Sequence, residues 1–130
     1  MLVGVGSVVP EVLGAADQLS RVGVPNDVIC LTSPDLVFRA LRSRQGFRPA
    51  PEDVLDDLFP AGRAAPLVAA VDGHPHTLAF LAAIHGTATT PLGVDDFGQS
   101  GDIADLYAHF GLDVATITGA AWDLLDGPRR

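Results

Sequence analysis

Four short apolar runs decide most of what this chain can become. They are Leu2 to Val5, Asp27 to Leu31, Leu67 to Val71 and Thr87 to Val94, each too short for a helix and each bounded by Gly, Pro, Asn, Asp or Ser. Between them the apolar residues recur at helical spacing, as in Val12, Ala16, Leu19 and Gly23. Strand, helix, strand repeated along one chain predicts parallel pairing with right-handed crossovers. The fold class is therefore α/β: a three-layer α/β/α domain on a mostly parallel sheet of about four or five strands.

The helix boundaries follow from local chemistry. Pro10 and Glu11 open the first helix after the turn Gly4-Val5-Gly6-Ser7. Ser33 is placed to cap the second, with Pro34 at its first position, Asp35 at its positive end, and Leu36, Val37, Ala40 and Leu41 facing inward. A short acidic helix is expected over Glu52 to Phe59, stopped by Pro60, and a buried one over Thr77 to Ile84, ended by Gly86. Ser100 is expected to cap the next helix, which Gly111 ends. A last helix begins at Asp113 or Thr116 and carries Val114, Ile117, Ala121 and Leu124 on one stripe. A single domain over 1–127 and a tail over 128–130 account for the whole length.

Charge narrows the function. The chain has 130 residues and a net charge of −8, and its basic residues are all Arg, which disfavours a generic nucleic-acid or anionic-membrane surface. Neither a secretory leader nor an apolar run of membrane-spanning length is present in the sequence, so a cytoplasmic, soluble protein is expected. The single Cys30 lies within an apolar run and reads as a small core residue rather than a nucleophile. Met1 leads directly into a core strand, the pattern expected of a domain cut from a longer enzyme or the last piece of a split one.

Loops at the carboxyl ends of parallel strands usually carry the ligand site, which directs attention to Gly4 to Ser7, Thr32 to Asp35, Asp72 to His76 and Asp95 to Ser100. Gly4-x-Gly6 invites a dinucleotide reading, but position 9, where a third glycine would stand, is Val9, so a tight structural turn is the better account. His74 and His76 alternate in an extended segment and could share a metal ion, with Asp72 or the distant His85 as a third ligand. A structural or domain-facing role is the better account of the pair, with substrate contact next, since a His in a strand-end loop also suits proton transfer near neutral pH. Arg39, Arg42, Arg44 and Arg48 could clamp an acidic partner or a phosphate, but a solvated face that meets acids such as Glu52 and Asp56 is the better account.

The stretch Gly93 to Asp113, GVDDFGQSGDIADLYAHFGLD, resembles the closing segment of the C-terminal domain of the transketolase superfamily. There a Gly-x-x-x-Phe-Gly-x-Ser turn precedes a helix that finishes on Phe-Gly-(Leu/Val), which in this chain is Gly93, Phe97, Gly98 and Ser100, then Phe110, Gly111 and Leu112. Val28 to Arg42, VICLTSPDLVFRALR, is similar to the strand-Thr-Ser-helix element of the homodimeric pyruvate dehydrogenase decarboxylating subunit, more than to the Met-Pro-Ser turn of transketolase. The resemblance implies the C-terminal domain of a three-domain, thiamine-diphosphate-dependent enzyme, in a fold that allows one antiparallel strand.

It also implies a division of labour. In that family the N-terminal domain holds thiamine diphosphate and magnesium through a Gly-Asp-Gly motif, and the middle domain supplies the activating Glu. This sequence has no such motif, so the domain is expected to bind no cofactor and to be inactive alone. Its expected partners are the N-terminal and middle thiamine-binding domains, in a homo-oligomeric enzyme. No residue is carried over as catalytic, cofactor-binding or metal-binding. His74, His76, Asp96, Phe97 and Ser100 are the candidates for domain-interface or substrate-facing contacts. The alternative is a free-standing binding or assembly module that holds a small anion or metal near His74 and His76.

Overall fold

The computed structural model describes residues 1–96 and 100–127. Its sheet has four parallel strands, β1 (Leu2–Val5), β2 (Val28–Cys30), β3 (Leu67–Val71) and β4 (Thr89–Leu92), in the order β2-β1-β3-β4. The α-helices among the described residues are α1 (Val9–Arg21), α2 (Pro34–Arg44), α3 (Asp53–Leu58), α4 (Ala82–His85), α5 (Ile103–Phe110) and α6 (Val114–Asp126). Every pairing is parallel, with Val3 opposite Ile29 and Ala69, and Ala69 opposite Pro91.

Successive strand residues point to opposite faces, and the core divides accordingly. Val3, Ile29, Leu67 and Ala69 face α2, α3 and the 3-10 segment Pro75–Leu81. Leu2, Val68 and Ala70 face α1, α6 and Leu112, the second residue after α5. The result is the expected three-layer sandwich. The step from β1 to β2 goes one way with α1 on one face, and the later steps go the other way with their helices on the opposite face. All the connections thus share one hand, as right-handed crossovers require.

Glycine sets the closeness of α1 to the sheet. A Cβ on Gly4 would stand 3.1 Å from Val12 Cγ2 and 3.3 Å from the Val9 Cα, so the helix rests almost on the strand backbone. Gly6 has φ +72°, in the left-handed region where only glycine is unstrained. Both glycines of Gly4-x-Gly6 therefore have structural duties.

Several boundaries differ from the sequence reading. Ser33 does precede α2 with Pro34 at its first position, yet its side chain makes no cap bond. Leu36 is 50% exposed because the inward arc of α2 is centred on Val37, Ala40 and Leu41, leaving Leu36 on the flank. The segment expected as one helix over Thr77 to Ile84 is a 3-10 run, Pro75–Leu81, that relaxes into the single turn of α4. Cys30 is exposed, not buried: β2 is a three-residue edge strand, and its last residue lacks cover. Ser100 is exposed and is not the cap of α5; Asp102 takes that position, its carbonyl accepting the first bond, from Leu106 N–H. The Asp102 side chain, like that of Ser33, makes no cap bond.

Candidate functional site at the carboxyl ends of β1 and β3

The chain leaves β1 and β3 toward opposite faces, so their carboxyl ends form the topological switch point at which open α/β sheets bind ligands. Three side chains distant in sequence meet there. Tyr107 Oη donates to Ser7 Oγ (3.1 Å), and Ser7 Oγ donates to Asp72 Oδ2 (2.8 Å). Ser7 follows β1, Asp72 follows β3, and Tyr107 comes from α5, so this chain ties α5 to the sheet. Ser7 and Asp72 are exposed, and such hydrogen bonds are worth about 1 kcal/mol or less each.

His74 and His76 lie on the same turn, and both are exposed. Their rings are 4.4 Å apart between centroids at 63°. The backbone N–H of His76 donates to His74 Nδ1 (3.2 Å), and the two Nδ1 atoms also face each other at hydrogen-bond range. A His74 Nδ1 that accepts leaves the proton of the neutral ring on Nε2. Among the described residues no group of three or more His, Cys, Asp or Glu is placed to hold a metal ion. Asp72 is engaged by Ser7, while His85 lies at the far end of the following helix, its Nε2 2.8 Å from the Phe59 carbonyl. Among the described residues the pair is thus a two-imidazole surface without the third protein ligand that a catalytic zinc normally has.

Gly93 joins this turn to the stretch after β4. The Val94 N–H donates to the Gly73 carbonyl (2.7 Å), and a Cβ on Gly93 would stand 2.3 Å from that oxygen and 2.9 Å from Pro75 N. No side chain fits there. Asp96 and Ser100 flank the opposite end of the same stretch and are both exposed; Phe97 lies outside the described residues. The structure therefore puts His74 and His76 together, ties their turn to Gly93, and leaves Asp96 and Ser100 on the surface. The Ser7-Asp72-Tyr107 chain was missed by sequence reasoning, because its members are 65 and 100 residues apart.

The end of the Gly93 stretch does what its residues predict. Gly111 is left-handed at φ +68°, the Leu112 N–H reaches back to the Tyr107 carbonyl (2.7 Å), and Leu112 is buried at 1% exposure. Asp113 Oδ1 then accepts from Thr116 N–H (3.2 Å) to cap α6, and Glu11 Oε2 accepts from Val114 N–H (3.2 Å). Glu11 thus ties the start of α1 to the start of α6.

The arginine cluster splits in two. Arg44 bonds Asp56 (3.0 Å) and Glu52 (3.5 Å), as expected of a helix face meeting acids, and the hydrogen bond to Asp56 is the first cause of its raised pKa. Arg42 instead lies over the Phe47 ring, 3.4 Å from its centroid. Among the described residues no helix is long and apolar enough to cross a membrane.

A search of curated proteins finds no match to the sequence. The family model described as the transketolase-like TK C-terminal domain matches residues 1–113, which span all four strands and run through the turn that ends α5. The chain belongs to the transketolase-like C-terminal domain family.

Proposed function

We propose that this domain serves as the C-terminal structural and assembly unit of a thiamine-diphosphate-dependent enzyme of the pyruvate dehydrogenase decarboxylating or transketolase type, the former tested first, working in the cytoplasm and inactive alone. The observation that carries this reading is α5. Six of its eight residues are apolar, Ile103, Ala104, Leu106, Tyr107, Ala108 and Phe110, yet none is fully buried and Ile103 is 68% exposed. A helix apolar on most of its surface is at home inside a larger body. Its Tyr107 also ends the hydrogen-bonded chain at the strand ends, so a neighbour on α5 would reach Ser7, Asp72 and the His74 turn as well. In this reading thiamine diphosphate and magnesium belong to the other domains, and His74, His76, Asp96, Phe97 and Ser100 face them.

The test is co-expression of this chain with a chain from the same source that carries the Gly-Asp-Gly motif. A stable complex with thiamine-dependent pyruvate decarboxylation, lost when Ile103 becomes Asp, is the expected outcome. Decarboxylation by the longer chain with no association or gain of rate from this one would refute the assembly role. The adjacent imidazoles of His74 and His76 favour a second reading, a free-standing module that holds a metal or small anion. Equilibrium dialysis against zinc would then show retention that is lost when both become Ala.

A further inference from the structure

A groove of about 880 Å³ runs along the outer side of α2 and the segment that follows it. Its floor includes Leu36, Phe38 and Phe47, exposed at 50%, 45% and 54%, and its edges include Arg39, Arg42 and Arg48. No carboxylate lines it. Among the described residues, neither Arg42 nor Arg48 has an acidic partner, and Arg39 reaches only Asp35 at 3.5 Å, one turn back on the same helix. In a chain with net charge −8, these uncompensated cations gather beside exposed aromatic rings.

The aromatic floor is held in place. Gly46 takes φ +85° after α2, and the Phe47 N–H returns to the Arg42 carbonyl (3.0 Å), a helix-ending motif that sets Phe47 beside the last turn. The Arg42 guanidinium covers that ring from above. Phe38 meets Phe80 edge-on at 5.3 Å and 82°. Rings fixed before binding lose little freedom on binding, and aromatic and Arg side chains are those that dominate protein contacts.

We infer that this groove docks a peptide segment of a partner protein in which carboxylates flank an aromatic or aliphatic side chain. The apolar side chain would cover Phe38 and Phe47, and the carboxylates would take forked hydrogen bonds from Arg42 and Arg48. Charge complementarity selects this occupant. A basic segment would meet three guanidinium groups, and an uncharged one would leave Arg42 and Arg48 without an acidic partner. The acidic remainder of the surface does not prevent it, because charges more than about 10 Å away are largely screened at ordinary salt.

The test pans a display library of random 12-residue peptides against the 130-residue chain at ordinary salt, in parallel with the variant Arg42→Glu/Arg48→Glu. The expected result is enrichment of peptides with two or more carboxylates beside an aromatic or leucine residue. Their affinity should fall at least tenfold, about 1.4 kcal/mol, in the double variant and again in Phe47→Ser. Circular dichroism confirms that both variants keep the fold. No enrichment, enrichment blind to carboxylates, or undiminished binding by the double variant overturns the inference. A concentration-dependent dimer that the double variant abolishes would give the groove to a second copy of this chain, and also overturns it.

Discussion

Replacing Gly93 with Ala adds one methyl group at the most closely approached glycine among the described residues. The new Cβ would stand 2.3 Å from the Gly73 carbonyl oxygen, where real Cβ atoms essentially never come within 3.0 Å, and 2.9 Å from Pro75 N. Both neighbours are backbone, so no side chain can turn aside. A retreat of roughly 0.7 Å is the least that relieves the contact, and forcing such shifts costs about 1–3 kcal/mol. The same movement pulls apart the 2.7 Å bond from Val94 N–H to that oxygen, worth about 1 kcal/mol more. A total of about 2–4 kcal/mol is a large share of the 5–15 kcal/mol typical of such a domain. The thermal midpoint should fall on the order of 10 °C. Urea titration followed by far-ultraviolet circular dichroism measures the loss directly. Gly62→Ala and Gly119→Ala are the controls, since a Cβ at either meets nothing within 4 Å. Gly119 lies within α6, so its substitution should stabilise by up to about 1 kcal/mol. Should Gly93→Ala unfold within about 0.5 kcal/mol of the parent chain, the close approach of the two turns would be refuted.

Other substitutions test the rest of the frame by the same titration. Leu112→Ala empties a site buried at 1% exposure against α1 and α6, and should cost about 2–5 kcal/mol. Asp113→Ala removes the bond to Thr116 N–H at the start of α6, a loss of about 1 kcal/mol. Gly111→Ala and Gly86→Ala both strain a left-handed position, but only the first also meets a neighbour, Thr116 Cγ2 at 3.2 Å, so it should be the more damaging. Ser7→Ala breaks the link between Tyr107 and Asp72 on an exposed surface, and should change stability by no more than about 1 kcal/mol. A much larger loss would mean that this link holds α5 in place by itself.

The architecture was readable because each piece of it is local. Apolar runs of four or five residues marked Leu2–Val5 and Leu67–Val71, Pro34 opened α2, and Gly111 closed α5. Spatial order is not local, and the misreadings follow from that. Cys30 looked internal because its run is apolar, but exposure depends on β2 lying at a sheet edge. The Asp72 to His76 turn was singled out by its chemistry, whereas Ser7 and Tyr107 were not assigned to it, since nothing in either segment names its partner. Gly93 carried a family pattern whose reason lies across space, in a carbonyl twenty residues earlier. Gly98, expected to serve the turn, and Phe97 lie outside the described residues.

Pro91 has a consequence beyond its own strand. The Ala88 carbonyl accepts from Leu67 and the Val94 N–H reaches Gly73, so alternate residues of this segment turn their backbone toward β3, and Pro91 turns its own toward the free side. The hydrogen that proline lacks is one that an added strand would have needed. The opposite border, β2, is only three residues long. Neither margin of the sheet can readily be lengthened by another chain, a common safeguard against proteins sticking to one another through their sheets. A neighbour must therefore engage this domain through helices and loops, which keeps its associations selective.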